Sequence, residues 1–337
     1  MTESRLLHLL KRKNVVYITV KNEDYIRTAQ IKRILEENTE SFKVYSSDKN
    51  NPFTRALDLR KRLKSIDFED ADIVIIGFLP QFIWSSVVKS IPKKIVVAEM
   101  FLSLYDTIVF DRKLVLKKGM LAHICKLLDK KVVKEAELII TDTRADSEYF
   151  AKEFAGDISK FEALYLEADL GPVNGPDKED VEPRSVLYFG TGLPLQGTEY
   201  VAKAFKVLSS DHGYKCVYIG GLGGMHRKTK NEFMLLAKTP SEHGGIEYHS
   251  WMNRKLLYEY IKKAEVCLAG HFAPDIDKAD RTIPGKAMIY EALGKGMILG
   301  DTRANREFFT SDEKHIFVSR GNEKSIVDAV LKLSLYR

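Results

Sequence analysis

Residues 279–301 read Ala279-Asp-Arg-Thr-Ile-Pro-Gly-Lys-Ala-Met-Ile-Tyr-Glu-Ala-Leu-Gly-Lys-Gly-Met-Ile-Leu-Gly-Asp301, which is a basic loop, a Pro-Gly turn, a short helical pattern and an apolar strand. Glycine and proline mark the turns between these pieces. A helix that begins directly after a basic turn offers both cations and free backbone N–H groups to an anion. The stretch therefore predicts an α/β sheet whose carboxyl edge holds a charged nucleotide.

The same alternation of apolar runs and helical patterns extends along the whole chain. The predicted strands are Val15–Val20, Phe42–Ser46, Ile73–Phe78, Lys94–Glu99 and Leu138–Thr143 in the first half, and Val186–Phe189, Cys216–Ile219, Ile246–His249, Val266–Ala269, Met297–Leu299 and Ile316–Val318 in the second. Continuous apolar strands that alternate with helices are typical of parallel sheets covered on both faces. The expected fold class is therefore α/β.

One segment separates two halves of similar size. Gly171–Pro183 contains three prolines, two glycines and a charge cluster, which is a composition typical of a linker. We expect an N-terminal Rossmann-like domain over residues 1–170, a linker over 171–184 and a C-terminal Rossmann-like domain over 185–337. The two sheets are expected to face each other across a cleft, because ligands of open α/β sheets bind outside the carboxyl ends of the strands.

Composition excludes several other classes of protein. With 337 residues, of which 45% are hydrophobic and 30% charged, the chain has an ordinary globular composition. No apolar run reaches the roughly 18 residues that a membrane-spanning helix needs. The three cysteines, Cys125, Cys216 and Cys267, are far apart and lack metal or redox spacing, so we expect reduced thiols and a cytoplasmic location.

The positive charge is concentrated between Arg112 and Lys134. This segment has eight basic residues and one acid, Asp129, with apolar residues between them at partly helical spacing. A basic amphipathic helix suggests contact with an anionic membrane surface on the inner face of the cell membrane. The alternative is an ordinary helix with a solvated basic face. A nucleic-acid partner is not expected, because no aromatic stacking pattern accompanies the charge.

Polar and glycine residues follow the predicted strands of the second half. The loop after its first strand contains Gly190, Thr191, Gly192, Gln196 and Gly197, which we predict to bind the nucleotide. Glycines let a backbone approach a ligand closely, although many βα turns of this kind only close the fold. A second glycine-rich turn, Gly220–Gly224, is interpreted as a tight connection.

Five further side chains of the second half are candidate site residues: Trp251, His271, Arg281, Lys286 and Glu291. Trp251 follows the third strand and could stack on a base, or simply pack. His271 follows the fourth strand and is a candidate catalytic residue, or a residue that only hydrogen-bonds a loop. Arg281 and Lys286 suit a diphosphate, and Glu291 suits ribose hydroxyls. The pair of acids Asp275-Ile-Asp277 is interpreted as a chance match to a metal motif, so no metal ligand is predicted.

At these residues the chain resembles the retaining, GT4-type glycosyltransferases of GT-B architecture. The resemblance is carried by Val186–Tyr200, by Ile283-Pro-Gly-Lys with Tyr-Glu-Ala-Leu-Gly294, and by Ser103–Thr107 in the first half, which is similar to enzymes of surface-polysaccharide biosynthesis. It implies a UDP- or GDP-sugar donor held by the second half and a glycan or lipid-linked acceptor held by the first. It also implies transfer with retention, without a metal or another cofactor.

On the acceptor side, Glu99 and Asp106 follow the strand Lys94–Glu99. In this architecture they are predicted to orient or deprotonate an acceptor hydroxyl, or to leave that proton to the departing phosphate. Asp106 could instead pair structurally with Arg112.

The chain departs from the family at the donor pocket. The family has two glutamates eight residues apart; Glu291 matches the second, but Ile283 stands at the first. Thr191 and Gln196 replace the usual Arg and Lys of the first loop. We therefore expect Arg281 and Lys286 to supply the cations. Two alternatives stay open: a sugar-nucleotide epimerase or hydrolase, and a non-catalytic nucleotide-sugar-binding partner of another transferase.

Overall fold

The computed structural model describes residues 4–91, 93–111, 115–117, 119–168, 170, 181–239 and 244–335. The chain divides into two compact units, Met1–Glu167 (unit 1) and Ala168–Arg337 (unit 2). Most of the predicted linker, residues 171–180, lies outside the described residues. The strand after it starts at Glu182, earlier than expected.

Unit 1 is built on a six-stranded parallel sheet with the order β2-β1-β3-β4-β5-β6. Its strands are β1 (Asn14–Thr19), β2 (Ser41–Tyr45), β3 (Ile73–Gly77), β4 (Ile95–Glu99), β5 (Leu138–Thr141) and β6 (Phe161–Ala163). Its helices are α1 (Arg5–Leu10), α2 (Ile26–Asn38), α3 (Pro52–Arg62), α4 (Trp84–Ser90), α5 (Leu104–Asp106, continued by a π-helical turn Thr107–Asp111), α6 (Met120–Glu135) and α7 (Arg144–Phe154).

Unit 2 repeats this architecture with the order β12-β11-β10-β7-β8-β9, again all parallel. Its strands are β7 (Glu182–Gly190), β8 (Lys215–Gly220), β9 (Gly245–His249), β10 (Ala264–Gly270), β11 (Met297–Gly300) and β12 (His315–Val318). Its helices are α8 (Thr198–His212), α9 (Arg227–Leu236), α10 (Arg254–Lys263), α11 (Asp277–Arg281), α12 (Gly285–Ala292), α13 (Arg303–Phe308) and α14 (Glu323–Leu335). The predicted α/β class with two parallel sheets is confirmed.

The burial of the central strands explains why their apolar sequences predict them. Every residue of β3, β5 and β10 is buried, so helices cover both faces of these strands. Each fully buried aliphatic side chain contributes roughly 1.5–3 kcal/mol to folding. None of the helices in the described part of the chain is long and apolar enough to span a bilayer.

The strand orders locate one switch point in each sheet. In unit 2 the chain winds outward from β7 in one direction and from β10 in the other; in unit 1 the same reversal occurs between β1 and β3. Loops on the two sides of such a point diverge and open a crevice at the carboxyl ends of the strands. Ligand-binding residues are therefore expected in these two crevices.

Candidate functional site

The switch point of unit 2 is marked by a lysine between two glycines. Gly190 ends β7 and Gly270 ends β10, and Lys286 lies in the first turn of α12. A methyl carbon added to Gly190 would lie 2.9 Å from Lys286 Nζ, and one added to Gly270 would lie 3.3 Å from it. The amino group of Lys286 therefore lies beside the carboxyl ends of both strands.

Lys286 is buried without a compensating charge. Its side chain is 6% exposed, and Nζ has no hydrogen-bond partner in the described structure. Nζ lies 4.0 Å from the centroid of the Tyr188 ring, a cation–π contact. Burial lowers the pKa of Lys286 well below its usual value. Because an unpaired buried charge costs free energy, an anion at this position would be bound favourably.

The loop after β7 is held in shape by Gln196. Its Oε1 accepts hydrogen bonds from Gly192 N at 3.1 Å and from the Tyr188 hydroxyl at 3.0 Å, and its Nε2 donates to Thr191 Oγ1 at 3.4 Å. Gln196 thus fixes the backbone beside Lys286 and does not replace the family's cation. Gly197, at φ +67°, precedes α8 and packs against the backbone at Ala273.

His271 is a neutral hydrogen-bonding group. It is buried, has a left-handed backbone at φ +60°, and donates from Nδ1 to the carbonyl of Thr282 at 2.8 Å. Burial and the nearby charge of Lys286 lower the pKa of His271 to about 3. A group with that pKa is a poor general base near neutrality. The contact with Thr282 favours the alternative that His271 hydrogen-bonds the loop that leads into α12, and its predicted catalytic role stays a prediction.

Arg281 is also buried, but it is already paired. Its Nε donates to Asp277 Oδ2 at 2.8 Å, one helical turn earlier in α11. Asp277, the second acid of the apparent metal motif, is thus an ion-pair partner of Arg281. Arg281 therefore has an acidic partner of its own, and its predicted role in binding the diphosphate stays a prediction.

The carboxylate of Glu291 does not lie beside Lys286. It accepts a hydrogen bond at 2.8 Å from Nε2 of His315, the first residue of β12 and thus at the amino end of the sheet. Five residues separate it from Lys286, which places the two side chains about 140° apart around α12. The predicted ribose contact is therefore not supported by the position of Glu291.

Trp251 is placed where a base could stack. It follows β9 at the carboxyl edge of the sheet, and 77% of its surface is exposed. The alternative that this tryptophan is packed into the core is excluded. An exposed indole offers a face on which an aromatic ring can stack.

The predicted acceptor-side carboxylates are both buried within unit 1. Glu99, at the end of β4, accepts from the Tyr17 hydroxyl at 3.3 Å and from Phe78 N at 3.2 Å through the same oxygen, Oε2. Burial raises the pKa of Glu99 to about 7. Asp106 accepts from the Tyr149 hydroxyl at 3.3 Å; Arg112, its proposed partner, lies outside the described residues. Neither carboxylate is exposed as an open general base.

Asp129 has a role that the sequence did not indicate. It accepts from Gln81 Nε2, Ser103 Oγ, Leu104 N and Tyr105 N at 2.7–3.1 Å, and thereby holds the turn before Asp106. Burial raises its pKa to about 6. The sequence feature that could have indicated this role is that Asp129 is the single acid in a strongly basic segment.

Replacement of Glu99 by glutamine should flatten the pH dependence of stability. A carboxyl whose pKa rises from 4.5 to about 7 on folding favours the folded state when protonated, and this contribution is lost as the pH rises from 4.5 to 7. The difference corresponds to about 3 kcal/mol. We expect Glu99→Gln to be more stable than the wild type at pH 8, and the advantage to shrink at pH 5.

Thermal unfolding at both pH values measures this effect, with the exposed Glu36→Gln as control. Asp129 titrates in the same range in all three proteins, so only differences between them are informative. Equal pH profiles for wild type and Glu99→Gln would show that Glu99 is not a buried titrating group.

Comparisons with known proteins agree on the fold. No family model matches the chain, and no curated protein sequence matches it significantly. Among solved structures, HepE of Anabaena in complex with UDP and glucose aligns with a TM-score of 0.62 at 12% identity, over 96% of this chain and 92% of HepE. Sucrose-phosphate synthase of Thermosynechococcus elongatus gives 0.66 at 10%, over 96% and 90% of the two chains.

A lipopolysaccharide outer core galactosyltransferase, WaaB, gives a TM-score of 0.59 at 14% identity, over 96% of this chain and 90% of WaaB. The chain therefore has the fold of the GT-B glycosyltransferases. At these identities the likeness concerns the fold alone. Within the described residues, no group of three or more His, Cys, Asp or Glu side chains could hold a metal ion.

Proposed function

We propose that the chain is a glycosyltransferase that moves a sugar from a nucleotide-sugar donor, with UDP the favoured nucleotide, to a glycan or lipid-linked acceptor. The observation that carries the proposal is the buried, unpaired Nζ of Lys286 beside Gly190 and Gly270 at the switch point of unit 2. HepE, which shares the fold, has been solved with UDP-glucose. Surface-polysaccharide biosynthesis in the cytoplasm is the setting we infer from the family resemblance.

In this proposal, Lys286 acts on the leaving group. The bond between the anomeric carbon and the phosphate oxygen breaks, and its electron pair leaves with the diphosphate. A preorganised cation in a buried site stabilises that developing charge without a metal ion. The acceptor oxygen then bonds to the anomeric carbon, on the retained face if the enzyme follows the GT4 type.

None of the predicted catalytic residues offers an exposed base that could accept the acceptor proton. Glu99 is buried beneath Phe78, and His271 has a pKa near 3. We therefore assign the proton to the leaving phosphate, and give Glu99 and Asp106 positioning roles. The donor base is assigned to Trp251, as a stacking surface.

Calorimetric titration with UDP and GDP, followed by product analysis with UDP-sugars, tests the function. Tight UDP binding with sugar transfer to an added glycan or lipid acceptor is expected. Loss of the sugar without an acceptor would instead identify an epimerase or hydrolase. Binding without turnover would identify a non-catalytic partner, and failure to bind any nucleotide would overturn the proposal.

We further propose that α6 docks unit 1 on an anionic membrane. One face of this helix packs into unit 1, but several apolar residues of the other face are exposed: Met120 is 81% exposed and Leu127 51%, and Leu116 before the helix is 83% exposed. Lys130, Lys131 and Lys134 lie on the same helix. Exposed apolar side chains next to lysines are typical of helices that lie in the interface of an anionic bilayer.

The double substitution Met120→Ser with Leu127→Ser should reduce binding to phosphatidylglycerol vesicles at least tenfold. Each apolar side chain that enters the bilayer contributes more than about 1 kcal/mol. Co-sedimentation at low salt measures this binding, and Leu235→Ser, an equally exposed leucine of unit 2, is the control. Identical partitioning of the double variant and the control would rule out α6 as the contact.

A further inference from the structure

The switch point of unit 1 presents a lysine packed on two aromatic rings. Lys21, just after β1, has its Nζ 4.6 Å from the centroid of the Tyr25 ring and 5.1 Å from that of Phe78, which follows β3. The two rings touch edge to face, with centroids 5.5 Å apart. This group therefore combines a cation with two flat apolar surfaces at the edge where the fold places ligands.

The charge on this group is not neutralised by a neighbouring acid. In the part of the chain that the structure describes, Lys21 forms no ion pair, and burial lowers its pKa. Two nearby acids are engaged elsewhere: Glu23 pairs with Lys32, and Asp142 pairs with Arg27. A lysine without an ion-pair partner favours an anionic ligand.

The backbone under the aromatic rings is strained. Phe78 and Leu79 both have left-handed conformations, at φ +38° and φ +56°, which non-glycine residues rarely adopt. The buried carboxyl of Glu99 holds this turn by accepting from Phe78 N. Such strained conformations concentrate at ligand-binding sites. Glu99 is thus a positioning residue for Phe78.

We propose that Lys21, with the rings of Tyr25 and Phe78, binds an anionic group of the acceptor, either a phosphate or a sugar carboxylate. This deepens the proposed function, on which it rests, because it restricts the acceptor to negatively charged glycans or glycolipids. The rings pack against the apolar face of the sugar that carries the charge, and the ammonium group of Lys21 binds its oxygens.

Calorimetric titration of the full chain with inorganic pyrophosphate, and separately with glucuronate, tests this inference in the presence of saturating UDP. We expect Lys21→Ala to weaken binding at least tenfold and to leave the affinity for UDP unchanged. Lys89→Ala, which removes an exposed lysine from α4, should change neither. Preference for pyrophosphate would identify a phosphate-bearing acceptor, and preference for glucuronate a carboxylate-bearing one.

The inference fails if the wild type binds neither probe, or if Lys21→Ala and Lys89→Ala bind both probes equally well. If instead the proposed function is wrong, UDP does not bind. The two lysine variants can then still be compared by titration with pyrophosphate in the absence of nucleotide.

Discussion

Replacement of Lys286 by methionine is expected to weaken UDP binding at least about thirtyfold and, at the same time, to raise the thermal stability of the protein. The loss of affinity follows because truncating one partner of a buried, charge-assisted contact costs roughly 2–5 kcal/mol. The gain in stability follows because methionine fills a similar volume without a buried amino group that lacks a hydrogen-bond partner. Calorimetry with UDP and thermal unfolding without ligand measure the two effects.

Lys295→Met is the matched control. Lys295 is as deeply buried in unit 2, but its Nζ donates to the carbonyl of Lys262 at 2.8 Å. We expect this variant to lose stability, because that carbonyl loses its partner, and to keep its affinity for UDP. If Lys286→Met bound UDP as tightly as the wild type, the diphosphate would have to lie elsewhere.

Gly220→Ala should destabilise unit 2 by more than about 3 kcal/mol, the cost of a buried steric overlap added to that of a strained backbone. Gly220 ends β8 at φ +120°, and a methyl group there would overlap the carbonyl oxygen of Gly190. That carbonyl also accepts from Gly221 N at 2.9 Å, so neither backbone can move away freely. Because the displaced residue is Gly190, UDP binding should be lost as well.

The variant Gly213→Ala separates the cost of the strained backbone from that of the steric overlap. Gly213 also has a positive φ, +67°, but nothing lies within 4 Å of an added methyl group. Its cost should be limited to the left-handed backbone, about 1–2 kcal/mol. Thermal unfolding of both variants measures the difference. Equal stabilities would mean that the loops after β7 and β8 are not packed backbone to backbone.

Local patterns in the sequence are sufficient to predict much of the fold. The apolar runs of β3 and β10 predict buried parallel strands because strands covered on both faces need no polar residues. The position of Lys286 in the first turn of α12 was predictable for a similar reason, since a Pro-Gly turn fixes the start of this helix.

Side-chain direction and competition between partners were not predictable. Glu291 is close to Lys286 in sequence, but the helical rotation directs it to His315. Arg281 pairs with an acid four residues earlier, which spacing alone does not distinguish from a free cation. The short strand β6 is only half buried and lacks a strong apolar pattern. Asp129 acquires its partners from a distant turn.

In the proposed function, the burial of Lys286 also couples nucleotide binding to protonation. Burial disfavours the ammonium form, whereas a bound diphosphate favours it, so the two ligands of this lysine, a proton and an anion, stabilise each other. By linkage, wherever the free lysine is partly deprotonated, the nucleotide is taken up together with a proton. In that range the affinity for the donor falls as the pH rises, and release of the spent nucleotide returns a proton to solvent.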